Sequence, residues 1–168
     1  TRLVTRRLMF HDDSRVQEVD PPATVPPNEV IVLQPYGALF FATASTLLEQ
    51  IPSVTAESTN SVVILRVRGA DDAGATLIDV IKGYAAELHG VNSKLMIVTA
   101  NRNVIRQLRV AGATEVIGPD NIYRSTSFIG ESSRQAHADA VAWVAERLST
   151  DAAPVHPILD DDPESQES

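Results

Sequence analysis

The sequence contains no cysteine. That excludes a disulfide framework, thiolate metal sites and a cysteine nucleophile. Aromatic residues make up only 5% of it, with a single tryptophan. Basic residues are outnumbered, 14 against 22 acids. There is neither a basic stripe nor an aromatic-basic motif, so nucleic acid is disfavoured as a partner. No apolar run is long enough to span a bilayer, and we expect no signal peptide in the residues from Thr1. An initiator methionine is also missing, which leads us to expect a fragment or a processed chain.

What is present suits one domain with a real core: 168 residues, 43% of them hydrophobic. The net charge of −8 is unevenly spread. Six acids lie from Asp151 onward, where there is no Lys or Arg, leaving 16 acids against 14 basic residues before it. Apolar periodicity also stops there. We therefore expect one domain over residues 1–149 and an acidic, disordered tail over 150–168.

The most informative stretch is 62–77. Val62, Val63, Ile64 and Leu65 form a short β-branched run that reads as a buried strand. It breaks at Gly69-Ala70-Asp71-Asp72. Leu77, Ile78, Val80, Ile81, Tyr84 and Leu88 then recur at helical spacing. Asp72 suits the N-cap, since its carboxylate can accept from the first free helical N–H groups. The turn thus sets a helix N-terminus at the carboxyl end of a strand, where α/β proteins usually place their chemistry.

The remaining elements follow in order. Residues 3–10 read as a strand. Residues 11–28, dense in Pro and Asp, read as a long surface loop. A second strand is expected over 29–33, a turn at Pro35-Tyr36-Gly37, and a helix over 39–51. Its apolar face would carry Phe40, Ala44, Leu47, Leu48 and Ile51. The central strand, 61–68, leads to a helix over 73–89 closed by Gly90, with Gly83 inside it marking close packing. A strand over 94–99 precedes a short helix capped by Asn101 or Asn103 and carrying Val104, Ile105, Leu108 and Val110. Residues 114–117 (TEVI) read as a fifth strand, and 120–130 as irregular. Ser132 or Ser133 would cap a last helix over 134–148, with Ala136, Ala140, Val144 and Leu148 on one face and Trp143 beside them. Alternating elements argue for an α/β layer structure. We expect a mixed, mostly parallel sheet of about five strands, its first strand antiparallel at an edge, with four helices mainly on one face.

Chemistry is harder to find. His11 and His156 fall in loop or tail, His89 in a last helical turn, and His137 on the polar side of the last helix. None meets the geometry of a general base or a metal cluster. Gly69 to Gly74 followed by Thr76 has the glycine spacing of a phosphate loop. The lysine position is Ala75, however, and Asp71 and Asp72 would repel a phosphate. We expect no enzyme activity, no metal and no cofactor.

These residues, in this order of elements, resemble a STAS domain. That module is shared by bacterial anti-anti-sigma factors and the cytoplasmic regions of sulfate permease (SulP) anion transporters. The family pattern is a hydrophobic strand, a loop, then Asp-Ser-Ser/Thr-Gly opening a helix, and here it stands as Asp71-Asp72-Ala73-Gly74. The segments VIVLQPYGALFFATA (30–44) and VVILRVRGADDAGATLI (62–78) look most like the transporter-attached branch. The resemblance covers roughly residues 30–148. It implies an interaction or regulatory turn at Asp71, Asp72, Ala73, Gly74 and Thr76. The phosphoacceptor serine of the anti-anti-sigma branch would fall at Asp72 or Ala73, and neither can accept phosphate as serine does; Thr76 and Ser61 are hydroxyls nearby. The implied function is a non-catalytic regulatory domain of a sulfate or other anion transporter at the cytoplasmic face of the cell membrane. Its partner would be the transmembrane domain of the same protein, with a second cytoplasmic protein or a homodimer as further partner classes. Weak nucleotide binding near the turn is compatible with the resemblance. The alternatives are a free-standing anti-anti-sigma-like partner-switching protein and, last, a small nucleotide-binding module.

Overall fold

Two central strands carry apolar side chains on both of their faces, so both faces must be covered. The computed structural model, which describes residues 3–37, 42–68, 74–125 and 130–151, shows how. Six strands are β1 (Val4–Phe10), β2 (Val16–Val19), β3 (Val30–Tyr36), β4 (Val62–Val67), β5 (Lys94–Thr99) and β6 (Ile122–Arg124). Five helices are α1 (Ala44–Glu49), α2 (Gly74–His89), α3 (Arg102–Val110), α4 (Ala113–Ile117) and α5 (Glu131–Asp151). The strand order is β2-β1-β3-β4-β5-β6. Pairs from β3 to β6 are parallel, and β1 runs antiparallel to both of its neighbours. The mixed α/β class stands, with one strand and one helix more than expected.

The two faces have different owners. Ile31, Leu33, Val63, Leu65, Val67, Leu95 and Ile97 point into a core closed by residues of α1 to α4. Val32, Val62, Ile64, Met96 and Val98 point the other way, onto Ala136, Ala140 and Val144 of α5. The last helix therefore has one face of the sheet to itself. Leu148, expected on its apolar face, is exposed.

Several local readings are corrected. The Pro/Asp-rich segment 11–28 is not loop throughout. His11 N donates to Arg15 O and Ser14 N to His11 O, with Ser14 in the left-handed region, and the turn returns the chain as β2. Val25 is then buried, and its N–H donates to Ser53 O at 2.9 Å. Pro35 and Tyr36 belong to β3 rather than to a turn. The ladder to β4 covers only Val30 to Leu33, so the proline's missing N–H costs no bond there. Helix α1 starts at Ala44, capped by Thr43, whose Oγ1 accepts from Thr46 N at 3.2 Å. Of its expected face Leu47 is buried, Ala44 and Leu48 are exposed, and Phe40 lies outside the described residues.

Residues 114–117 form the single-turn helix α4, not a strand. Gly112 and Gly118, at φ of 76° and 97°, bracket it, and such angles strain any residue with a Cβ. The sixth strand instead lies at 122–124, within the segment expected to be irregular. Ser132 and Ser133 sit inside the first turn of α5 rather than ahead of it. The acidic tail expected from residue 150 falls, from residue 152 on, outside the described residues.

Gly83 does not mark close packing either. It is exposed on α2, and an added Cβ would meet no atom within 4 Å. Gly83→Ala should therefore raise unfolding stability by about 1 kcal/mol, the helix-propensity difference. Urea denaturation reads this directly, and a loss instead of a gain would point to a contact that the glycine makes room for.

Candidate functional site

The parallel strands end together at one edge of the sheet, at Tyr36, Val67, Thr99 and Arg124. The chain leaves β4 at exposed Arg68 and enters α2 at Gly74, whose φ of 79° is left-handed. A glycine is the natural residue there, because a Cβ would be strained. Gly74 is buried and Thr76 half-buried in the first turn of α2. Asp71, Asp72 and Ala73 lie outside the described residues. Ala75, one residue before Thr76, lines a groove of about 330 Å³ between α2 and α3 with Ile78, Arg106 and Val110. Val110 was expected with the apolar residues of α3, yet it is 81% exposed and forms the outer lip of that groove.

Ser61, named with Thr76 as a nearby hydroxyl, is at the opposite end of β4 and fully buried. Its Oγ accepts from Glu29 N at 3.1 Å and donates to Pro26 O at 2.6 Å. It belongs to the packing of the sheet base and is closed to modification.

The histidines do not converge. His11 is exposed and bonded to Gln17 Oε1 at 3.0 Å, and His89 is exposed in the last turn of α2. His137 is not on a polar side: it packs edge-on against Phe10, ring centroids 4.8 Å apart, and burial lowers its pKa. His156 lies outside the described residues. Among the described residues no three His, Asp or Glu side chains gather as a metal site would require.

A family model for the STAS domain matches residues 21–128. This chain belongs to the STAS domain family. A STAS domain fits a regulatory or interaction role, and the family is generally non-catalytic. Neither curated proteins nor solved structures yield a match. No helix among the described residues is long and apolar enough to cross a membrane. The matched STAS span leaves out the β1–β2 hairpin and all of α5, which flank it in sequence; Leu8 and Phe10 of β1 pack in the same cluster as α5 on the second face of the sheet.

That second face holds polar residues that sequence reading passed over. Gln34 on β3 is 2% exposed, and Arg66 on β4 is half-buried. Arg66 Nε donates to Ser133 Oγ at 2.8 Å, and its Nη1 donates to Gln34 Oε1. Burial, and then neighbouring Arg68, lower the Arg66 pKa. Ser132 Oγ donates to Arg124 O at 2.9 Å, tying α5 to the end of β6. A signal was available: Gln34 and Arg66 are the polar residues that interrupt two otherwise apolar strands.

Proposed function

We propose that this STAS domain is the regulatory and interaction module of a SulP-type transporter of sulfate or another anion. It works at the cytoplasmic face of the cell membrane, against the transmembrane part of the same protein. The observation that carries the reading is the sequence of the turn ahead of α2. Where a partner-switching STAS domain has its phosphoacceptor serine, this chain has Asp72-Ala73. A fixed carboxylate replaces a charge that a kinase would add and a phosphatase remove. A turn built this way serves constant recognition rather than a phosphorylation switch. No catalytic role, metal or cofactor enters the reading.

Two tests apply. The residues encoded before Thr1 should include apolar segments long enough to span a bilayer, about 20 residues each. An initiator methionine directly before Thr1 would instead identify a free-standing partner-switching protein. The second test concerns Asp72. Asp72→Ala should cost about 0.5–2 kcal/mol as a lost cap, and Asp72→Ser much less, because a hydroxyl also caps. Asp72→Lys places a cation where the helix dipole disfavours one. It should reduce anion uptake by the full-length transporter beyond Asp72→Ala at matched folded fraction. Wild-type uptake in Asp72→Lys, with α2 demonstrably destabilised, would make the turn a structural cap and end the recognition reading.

A further inference from the structure

Among the described residues, Arg66 is a half-buried cation without a counterion. Its two hydrogen-bond acceptors, Ser133 Oγ and Gln34 Oε1, are both neutral. Among the described residues the ion pairs lie elsewhere, joining Arg6 to Asp20, Arg7 to Glu29 and Arg15 to Asp13. Arg68, two residues along β4, adds like charge instead of relieving it. Taking a guanidinium partly out of water without an opposite charge is costly, and an anion within reach would offset that cost.

The surroundings provide the room and more positive charge. Arg66 lines a cleft of about 560 Å³ between the β1–β2 hairpin and the start of α5. His11 and Arg15 face it from the hairpin, and Ser133, Arg134 and His137 from α5. The carboxylate in its lining is Asp12, on the hairpin turn. Asp13 draws on Arg15 Nε at 2.6 Å, but this pair is largely exposed and weak against a multivalent anion. The Arg66 fork is held in a fixed plane by its two bonds, with Nη2 making none among the described residues. A planar, pre-oriented fork suits two oxygens of one tetrahedral ion.

We propose that a tetrahedral oxyanion, sulfate or phosphate, binds in this cleft on Arg66, with Arg15 and Arg134 at its rim. The cleft lies on the α5 face of the sheet, and two of its three walls fall outside the matched STAS span. Its described lining includes neither Gly74 nor Thr76, and it does not depend on the transporter reading. The space exceeds one ion, so the group can also arrive as a phosphomonoester.

The test is a titration of the full chain with sodium sulfate, sodium phosphate and glycerol 3-phosphate. Sodium chloride at matched ionic strength serves as control, because screening alone alters surface pairs. Amide chemical shifts report the response. Saturable shifts at Gly130, Ser133 and Arg134 and across 11–16 are expected with the oxyanions and not with chloride. Tighter binding of the monoester would show that the group is taken attached, and tighter binding of the inorganic ions that it is taken free. Arg66→Gln removes the charged fork and should weaken binding about tenfold, the equivalent of one charge-assisted hydrogen bond. Arg15→Ala, on the exposed rim and safe for folding, should weaken it a few-fold. A response to sulfate and phosphate indistinguishable from that to chloride overturns the proposal. So does one left unchanged by Arg66→Gln, or by Arg15→Ala if Arg66→Gln does not fold.

Discussion

Ile64→Ala should lower unfolding stability by about 2–5 kcal/mol, the range for emptying a well-packed site of this size. Ile64 is fully buried at the centre of β4, on the face that α5 covers. Its neighbours there include Val32, Val62, Met96 and Val98 from the sheet and Ala136, Ala140 and Val144 from the helix. Ala136 and Ala140 have no exposed surface, and their small size brings the helix close to the strands. The hole left by three missing carbons is walled by β-sheet on one side, which cannot collapse into it. Ile64→Val provides the graded control, at about 0.5–1.5 kcal/mol. Urea unfolding followed by circular dichroism measures both. A cost for Ile64→Ala below about 1 kcal/mol, the size of a surface effect, would mean that α5 does not hold this face closed.

Ser93→Ala is expected to cost about 2–4 kcal/mol, far more than one small side chain usually carries. Ser93 precedes β5 and is 2% exposed. Its Oγ accepts from Ser61 N at 2.8 Å and donates to Ser58 O at 2.5 Å. Ser58 and Ser61 are themselves fully buried, and Ser58 Oγ donates to Val25 O at 2.7 Å. The three serines thus stitch the amino ends of β4 and β5 to the chain that leads into β3. Alanine would strand one buried N–H and one buried C=O together, and each such group costs about 1–3 kcal/mol. Ser58→Ala, which strands Val25 O and the partly buried Thr55 N–H that donates to Ser58 Oγ at 2.9 Å, should cost somewhat less, because that N–H is closer to water. Equal midpoints for wild type and Ser93→Ala in thermal unfolding would show that water replaces the hydroxyl, and that the network does not fix the sheet base.

The elements legible in the sequence share one property: their signal is local. β5 matches its expected bounds, β4 and α2 fall within one residue of theirs, and Asn101 caps α3 through Asn103 N at 2.8 Å. Each is a run of apolar residues at one period, closed by a cap or turn residue that acts within a few positions.

The misread elements depend on distant partners. Residues 16–19, VQEV, have no buried face and become a strand only by pairing with β1. Residues 122–124 are too short to show a period, and Ile122 is a strand residue because Ile97 lies beside it. The β-branched composition of 114–117 favours a strand, yet packing on α2 and α3 between two positive-φ glycines makes it a helical turn.

By itself the sequence determined an α/β chain and the strand and helix that flank Asp71-Asp72-Ala73-Gly74. Apolar period, capping chemistry and residue identity act over a few positions and need no fold to be read. The tertiary structure alone decided that α5 closes the second face. It also decided that Gln34, Arg66 and Ser133, separated by 32 and 67 residues, meet beside the hairpin. Strand order and helix packing set those meetings, and no local pattern encodes the distance between residues so far apart along the chain.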